Sequence, residues 1–268
     1  MSKPSAVTTS VPILVAKSGA IGHLTINRPD KHNAMTLAMW RAVPDMISDL
    51  VEDRSVRVIV LAGAGRNAFC AGADIGEFDA VRSGPENARE YEAANEAAFT
   101  AVRTAAKPVI AAISGHCFGG GFGLAAACDI RLASEGSLFS VPASRLGLAY
   151  PVTAMADIVT GVGAARSKEM LFSARRYSAA EMHAFGFLNA VCETEQLEAQ
   201  VNALCVDIAS GAPLSIAAAK QSIAAVLSGG AEDLNQAKIA GDVTFASDDY
   251  AEGCVAFKEK RKPVFRGQ

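Results

Sequence analysis

Apolar and polar positions follow two rhythms along this chain. Val11 to Val15 and Ala20 to Ile26 are short β-rich runs with Lys17-Ser18-Gly19 between them, which predicts a hairpin. Arg28-Pro29-Asp30 breaks the second run. From Thr36 to Asp53, the residues Met39, Trp40, Val43, Met46, Ile47 and Leu50 recur at helical spacing. Val56 to Ala62 and Pro108 to Ile113 are apolar runs too short for helices, and Asp129 to Ala133 resembles them; such runs read as parallel strands buried on both faces. The segment from Gly76 to Lys107 is polar, alanine-rich and helical in pattern, with a break at Ser83-Gly84-Pro85. Strand, helical stretch and strand in alternation predict parallel crossover units.

Beyond Glu195 the strand signal fades. Helices are expected over about 195–210, 213–228, 231–246 and 248–260, with Gly211-Ala212-Pro213 and Ser228-Gly229-Gly230 as separators. The division that follows is a loose tail over 1–10, an α/β core over 11–193 and a helical region over 194–268. No internal repeat or low-complexity linker interrupts it.

Composition narrows the function classes. Half of the 268 residues are hydrophobic and only 6% aromatic, so the core must be built from small aliphatic side chains. A net charge of -3 gives no electrostatic case for nucleic acid or an anionic membrane. The six cysteines are scattered without a CxxC pair, which reads as reduced thiols and a cytoplasmic setting. The opening MSKPSAVTTS has no apolar stretch of the signal-peptide kind, and no run long enough to span a bilayer is present. A soluble protein is expected. No metal-ligand motif, P-loop, GxSxG elbow or HExxH stands in the sequence. Gly121-Phe122-Gly123-Leu124-Ala125-Ala126 matches the GxGxxA of dinucleotide-binding proteins. However, Asp129 arrives too early for the ribose-binding acid and none follows about 20 residues on.

Two glycine-bearing turns carry the candidate chemistry. Phe69-Cys70-Ala71-Gly72-Ala73-Asp74 follows one buried strand, and Gly119-Gly120-Gly121 follows another and opens an apolar helical stretch. Turns of this kind leave backbone N–H groups free to converge on one oxygen. Two on neighbouring strands form an oxyanion hole in outline, although glycine also serves ordinary strand-to-helix connections.

Five segments decide between these readings: IGHLTINRPDKHNAM, NAFCAGADIGEF, PVIAAISGHCFGGGFGLAAACDIRLAS, FSVPASRLGL and AFKEKRKPVFRGQ. Their order and wording resemble the successive signature segments of the crotonase (enoyl-CoA hydratase/isomerase) superfamily, from about residue 11 to the end. The resemblance implies a spiral of ββα units followed by a helical C-terminal region that trimerises, with trimers sometimes paired into hexamers. It implies an acyl-CoA thioester as substrate, CoA arriving with that substrate, and no separate cofactor. The amides of Ala73 and Gly120 are then the oxyanion-hole donors. CoA contacts fall to Lys31, His32, Ala71 and Ala73, with Phe257 and Lys260 reaching the CoA of a neighbouring subunit. Gly76 replaces a phosphate-contacting lysine of some members.

The chain departs from the hydratases of that family at the two positions where they carry the acid/base glutamates. Gly123 and Ala143 stand there, and neither can move a proton. Tyr150 occupies a position where decarboxylating members carry tyrosine, and its hydroxyl is a candidate for orienting a carboxylate or protonating an enolate; the role expected first is a packed aromatic with a satisfied hydroxyl. Asp74 is expected to brace the first turn, and His116, preceding Cys117 on an extended segment, to face away from that thiol. Hydration, isomerisation, decarboxylation, thioester hydrolysis and acyl-CoA binding without turnover all remain open at this point.

Overall fold

The computed structural model describes residues 11–268; the expected tail over 1–10 lies outside them. The predicted hairpin is β1 (Ile13–Ser18) and β2 (Ile21–Ile26), paired antiparallel. Helix α1 (Leu37–Glu52) follows, capped by the Thr36 hydroxyl, which accepts from the Met39 N–H at 3.3 Å. Three ββα units succeed one another: β3 (Val58–Gly63), β4 (Ala68–Cys70), the short α2 (Phe78–Val81) and α3 (Gly84–Thr104); then β5 (Val109–Ile113), β6 (His116–Phe118) and α4 (Gly120–Ala127); then β7 (Ile130–Ser134), β8 (Leu138–Ser140) and α5 (Val152–Ser173).

In each unit the first strand joins one sheet and the second strand joins another. The larger sheet has the order β1-β2-β3-β5-β7-β10 and the smaller β4-β6-β8-β9, with β9 (Tyr177–Ser178) and β10 (Ala190–Cys192) flanking α6 (Ala179–Ala184). β2, β3, β5, β7 and β10 run parallel, as do β4, β6 and β8. This is the spiral of ββα units that the resemblance implies.

The unbroken apolar run of β3 is explained by what covers it. Ile59 and Leu61 point into the main core with Trp40, Ile47 and Phe99, while Val58 and Val60 point the other way, onto Leu197, Val201 and Cys205 of α7 (Leu197–Ala209). A strand buried on both faces has no polar side to alternate with. The break expected in the 76–107 segment is real: Gly84 and Pro85 open α3, where proline's missing N–H costs nothing.

Helices α7, α8 (Pro213–Ser228), α9 (Ala231–Phe245) and α10 (Asp248–Glu259) make the final quarter of the chain helical, close to the expected bounds. Gly229, in the left-handed region, ends α8. Lys220 on α8 donates to Asp129 at 2.8 Å, and that carboxylate also accepts from the Val109 N–H, so α8 is tied to β5 and to the start of β7 in the larger sheet. No single helix among the described residues is long and apolar enough to cross a membrane.

Candidate active site

The site is built where the loops after β4 and β6 meet. The loop after β2 comes first, because it holds the first glycine turn in place. His32 and Asn33 both take positive φ, and Asn33, 1% exposed, accepts from the Arg28 N–H at 3.0 Å and donates to the carbonyls of Ala64 and Ala68 at 3.0 and 2.6 Å. Asparagine tolerates this backbone better than any other residue with a side chain of its size. Arg28 then spans to the turn itself, donating to the Ala34 carbonyl at 2.6 Å and to Asp74 at 2.8 Å. The Arg28 guanidinium holds the Asp74 carboxyl below its usual range, and the Gly76 N–H adds to this. Asp74 is therefore an ionised brace, and Glu77 beside it caps α1 by accepting from the Leu37 N–H at 2.6 Å.

A single parallel bridge fixes the direction of the Ala73 amide. Met35 N–H donates to Gly72 and Asp74 N–H donates to Met35, each at 2.8 Å. In such a bridge the intervening residue turns its own N–H to the opposite side. The Ala73 N–H accordingly points away from Met35 and gives its proton to no acceptor among the described residues. Gly120 is the first residue of α4, and the Gly123 N–H to Gly119 carbonyl bond at 3.2 Å is the first that α4 makes. Its amide is one of the orphans of a helix start.

The two turns touch. Gly72, at φ +98°, is so close that a Cβ added to it would lie 3.0 Å from the Phe118 carbonyl and 3.2 Å from the Gly120 nitrogen. Only glycine permits both that conformation and that approach. Ala71, Gly72, Ala73, Gly119, Gly120, Ala143 and Tyr150 line one cavity of about 100 Å³, closed by Ile75, Phe78, Phe99, Leu146 and Leu148. A larger cleft of about 260 Å³, lined by Arg57, Lys107, Pro213 and Gln268 among others, contains neither turn and no feature that the chemistry would use.

Tyr150 and Gly123 are fitted to each other. The Tyr150 hydroxyl donates to the Gly119 carbonyl at 2.9 Å, and burial pushes its pKa up. A Cβ at position 123 would lie 2.5 Å from that oxygen and 2.7 Å from the Phe99 ring. The space a side chain at 123 would need is filled by the tyrosine.

Of the other expected residues, Lys31 and His32 are exposed on the loop against the first turn, the His32 carbonyl accepting from the Ala71 N–H at 3.0 Å. Phe257, 87% exposed, and Lys260, in the left-handed cap of α10, do not line the cavity of the single chain. His116 stacks on Phe118 with ring centroids 4.8 Å apart while Cys117 is buried, so no Cys–His pair forms. Arg82, Glu92 and Asn95 also line the cavity, and the sequence reading missed them. Their only signal was polarity at positions of the 76–107 helical pattern that face inward.

Two sheets linked by ββα units, with two glycine turns meeting at one cavity, define the crotonase class of fold. A family model described as enoyl-CoA hydratase/isomerase matches residues 16–268. The chain is 32% identical to crotonyl-CoA hydratase of Syntrophomonas wolfei, covering 94% of this chain and 97% of that protein. It is also 32% identical to peroxisomal Delta(3,5)-Delta(2,4)-dienoyl-CoA isomerase of Arabidopsis thaliana, over 92% of each. A crystal structure titled as an enoyl-CoA hydratase/carnithine racemase from Magnetospirillum magneticum superposes with a TM-score of 0.91 at 38% identity, covering 97% of both chains. The chain belongs to the enoyl-CoA hydratase/isomerase family, and it is an enzyme of hydratase/isomerase type.

Proposed function

We propose that the cavity takes the thioester end of an acyl-CoA and holds its carbonyl oxygen between the N–H groups of Ala73 and Gly120. The observation that carries this reading is the meeting of two glycine turns at one cavity wall, where the N–H groups of Ala73 and Gly120 have no acceptor among the described residues. When the α-carbon gives up a proton, or its neighbour gains a nucleophile, the electron pair moves onto that oxygen, and the two donors stabilise the enolate. One such donor is worth roughly 10²–10³ in rate.

The usual hydratase glutamates are replaced by Gly123 and Ala143, so efficient activation of water is not expected. Glu92 is the one carboxylate among the described residues that lines the cavity, and it is engaged by Arg82. This favours isomerisation or α-proton exchange, in which a single group takes the α-proton and returns it, over fast hydration; Glu92 is the carboxylate on the cavity wall for that step, the C–H electron pair passing to the enolate oxygen and the proton to Glu92. It also supports a second reading, binding of acyl-CoA without turnover. CoA comes with the substrate, its phosphates facing Lys31 and His32 at the exposed rim. Self-association as trimer or hexamer is supported by α8 and α9, where Ile223, Val226, Leu227, Val243 and Phe245 are each more than half exposed. Phe257 and Lys260 would then reach the site of a neighbouring subunit, in the cytoplasm.

The test measures two reactions on the same preparation. Crotonyl-CoA hydration is followed by loss of enoyl-thioester absorbance, and deuterium uptake at the α-carbon of butyryl-CoA by mass spectrometry in D₂O. Exchange well above background with slow hydration is expected. Saturable binding without exchange would leave the binding-only reading, and no binding of either thioester would end both.

A further inference from the structure

The one tryptophan of the chain, Trp40, is fully buried against the place where the two glycine turns meet. Helix α1 begins at Leu37, two residues after the Met35 bridge, and Trp40 lies in its first turn. Helical side chains lean toward the N-terminus of their helix, so the indole is carried back toward Met35 and the turns beyond it. One edge of the ring bears on Gly120: a Cβ added there would stand 2.9 Å from Cζ2 and 3.1 Å from Cη2 of Trp40. The indole is therefore packed directly on the residue that supplies the second proposed donor.

The same edge carries Nε1, which donates to the Tyr91 hydroxyl at 3.1 Å. That hydroxyl donates onward to the Met35 carbonyl at 3.4 Å. The Met35 carbonyl also accepts from the Asp74 N–H, which is half of the bridge that turns the Ala73 amide away. Burial pushes the Tyr91 phenol up, so the hydroxyl stays protonated and keeps donating. Phe99 holds the indole from another side, edge to face with ring centroids 5.7 Å apart. One rigid ring thus touches Gly120 directly and reaches the Ala73 bridge through Tyr91.

We propose that Trp40 is a positioning residue of the thioester site: its indole fixes the separation of the Ala73 and Gly120 amides, bearing on one and anchoring the other through Tyr91 and Met35. This deepens the oxyanion reading above and rests on it. Main-chain donors have no side chain through which their aim can be set, so their spacing has to come from a group packed against both turns. An indole suits the task, because it is rigid and planar and presents an apolar edge beside a polar N–H. Spacing matters at this scale, since a misplacement of about 1 Å can slow a reaction roughly 10²-fold. If the ring merely filled the core, removing one hydroxyl from Tyr91 would leave a bound thioester unaffected.

The experiment is isotope-edited infrared spectroscopy of bound butyryl-CoA, carbon-13-labelled at the thioester carbonyl, on the full-length protein. Deuterium exchange at the α-carbon is measured beside it at saturating thioester. The variants are Trp40→Phe and Tyr91→Phe, with Ile47→Val, further along the buried face of α1, as the packing control. In the native protein the two donors should lower the carbonyl stretch below its value in water. In Trp40→Phe and Tyr91→Phe at least about half of that lowering should be lost, and exchange should slow by at least about tenfold while binding changes by less than about threefold. Ile47→Val should match the native protein in both. Tyr91→Phe keeps the ring and its packing, so it decides even if Trp40→Phe does not fold, and the carbonyl readout stands whether or not the thioester is turned over. A Tyr91→Phe protein with the native carbonyl frequency overturns the proposal, as does an equal loss in Ile47→Val. If the lowering is present and the variants keep it, this proposal alone fails; if the native protein does not bind butyryl-CoA, or binds it without lowering the stretch, the oxyanion reading fails and takes this one with it.

Discussion

Gly123→Ala is the change whose sign the structure fixes against ordinary expectation. In the interior of a helix, alanine for glycine stabilises by about 1 kcal/mol. Here the added methyl would stand 2.5 Å from the Tyr150 oxygen and 2.7 Å from the Phe99 ring, distances that real Cβ atoms do not show. Relief requires the tyrosine to leave the Gly119 carbonyl, losing a hydrogen bond worth about 1 kcal/mol, and the core to absorb an extra methyl group at about 1–3 kcal/mol. The sum predicts a net destabilisation of about 1–3 kcal/mol. Tyr150→Phe alone should cost about 0.5–1.5 kcal/mol, since the Gly119 carbonyl keeps its bond from the Gly123 N–H. With the oxygen gone, the double variant should be more stable than the sum of the single effects by at least about 1 kcal/mol. Urea denaturation of the four proteins gives the coupling energy directly. A stabilised Gly123→Ala, or additivity within about 0.5 kcal/mol, would refute the reasoning. Gly123→Glu carries the same first carbon and meets the same obstacle, so a carboxylate introduced there alone should not create a hydratase.

Three further outcomes can be checked with less effort. Asn33→Ala removes hydrogen bonds to Arg28, Ala64 and Ala68 and puts alanine at φ 56°; a loss of roughly 2–4 kcal/mol in urea denaturation is expected, with weaker acyl-CoA binding. Asp74→Asn should cost roughly 1–3 kcal/mol at pH 7. Because the folded carboxyl is held below its unfolded value near 3.9, that contribution is complete above this value and is lost as pH falls through the folded one; the gap between wild type and variant must therefore close in acid. Thiol titration with a chromogenic disulfide should find one fast group, Cys254, in the native protein and all six after denaturation. The other five are buried, and burial pushes Cys70 and Cys128 up to about 12 and Cys205 to about 11.

What the sequence disclosed follows the physics of each element. α8 was legible to its bounds because Pro213 opens it and Gly229 closes it. β3 and β5 were legible because burial on both faces leaves a solid apolar run. The strands of the smaller sheet have two or three residues each, too few for any periodicity to register. α5 went unread because its buried positions do not make one stripe: Ala154, Ile158 and Val162 are four apart, and Gly163, at φ 77°, breaks the register before Ser167 and Met170. At the site, the glycine turns announced themselves, since backbone chemistry demands particular residues. Arg82, Glu92 and Asn95 did not, because a polar side chain on a helix looks the same whether it faces water or a cavity.

The Tyr150 hydroxyl has a reach beyond the carbonyl it touches. The Gly119 C=O and the Gly120 N–H belong to one rigid peptide plane and point in opposite directions across it. A bond to the oxygen on one side of that plane acts as a tether on the hydrogen at the other, so the aim of the Gly120 N–H, the donor proposed above, is set by a phenol that need not contact the thioester. The tether also draws electron density toward the oxygen and leaves the N–H more polarised, as in any hydrogen-bonded chain of amides. A residue 30 positions further along the chain thereby tunes both the direction and the strength of a main-chain donor that has no side chain of its own to mutate.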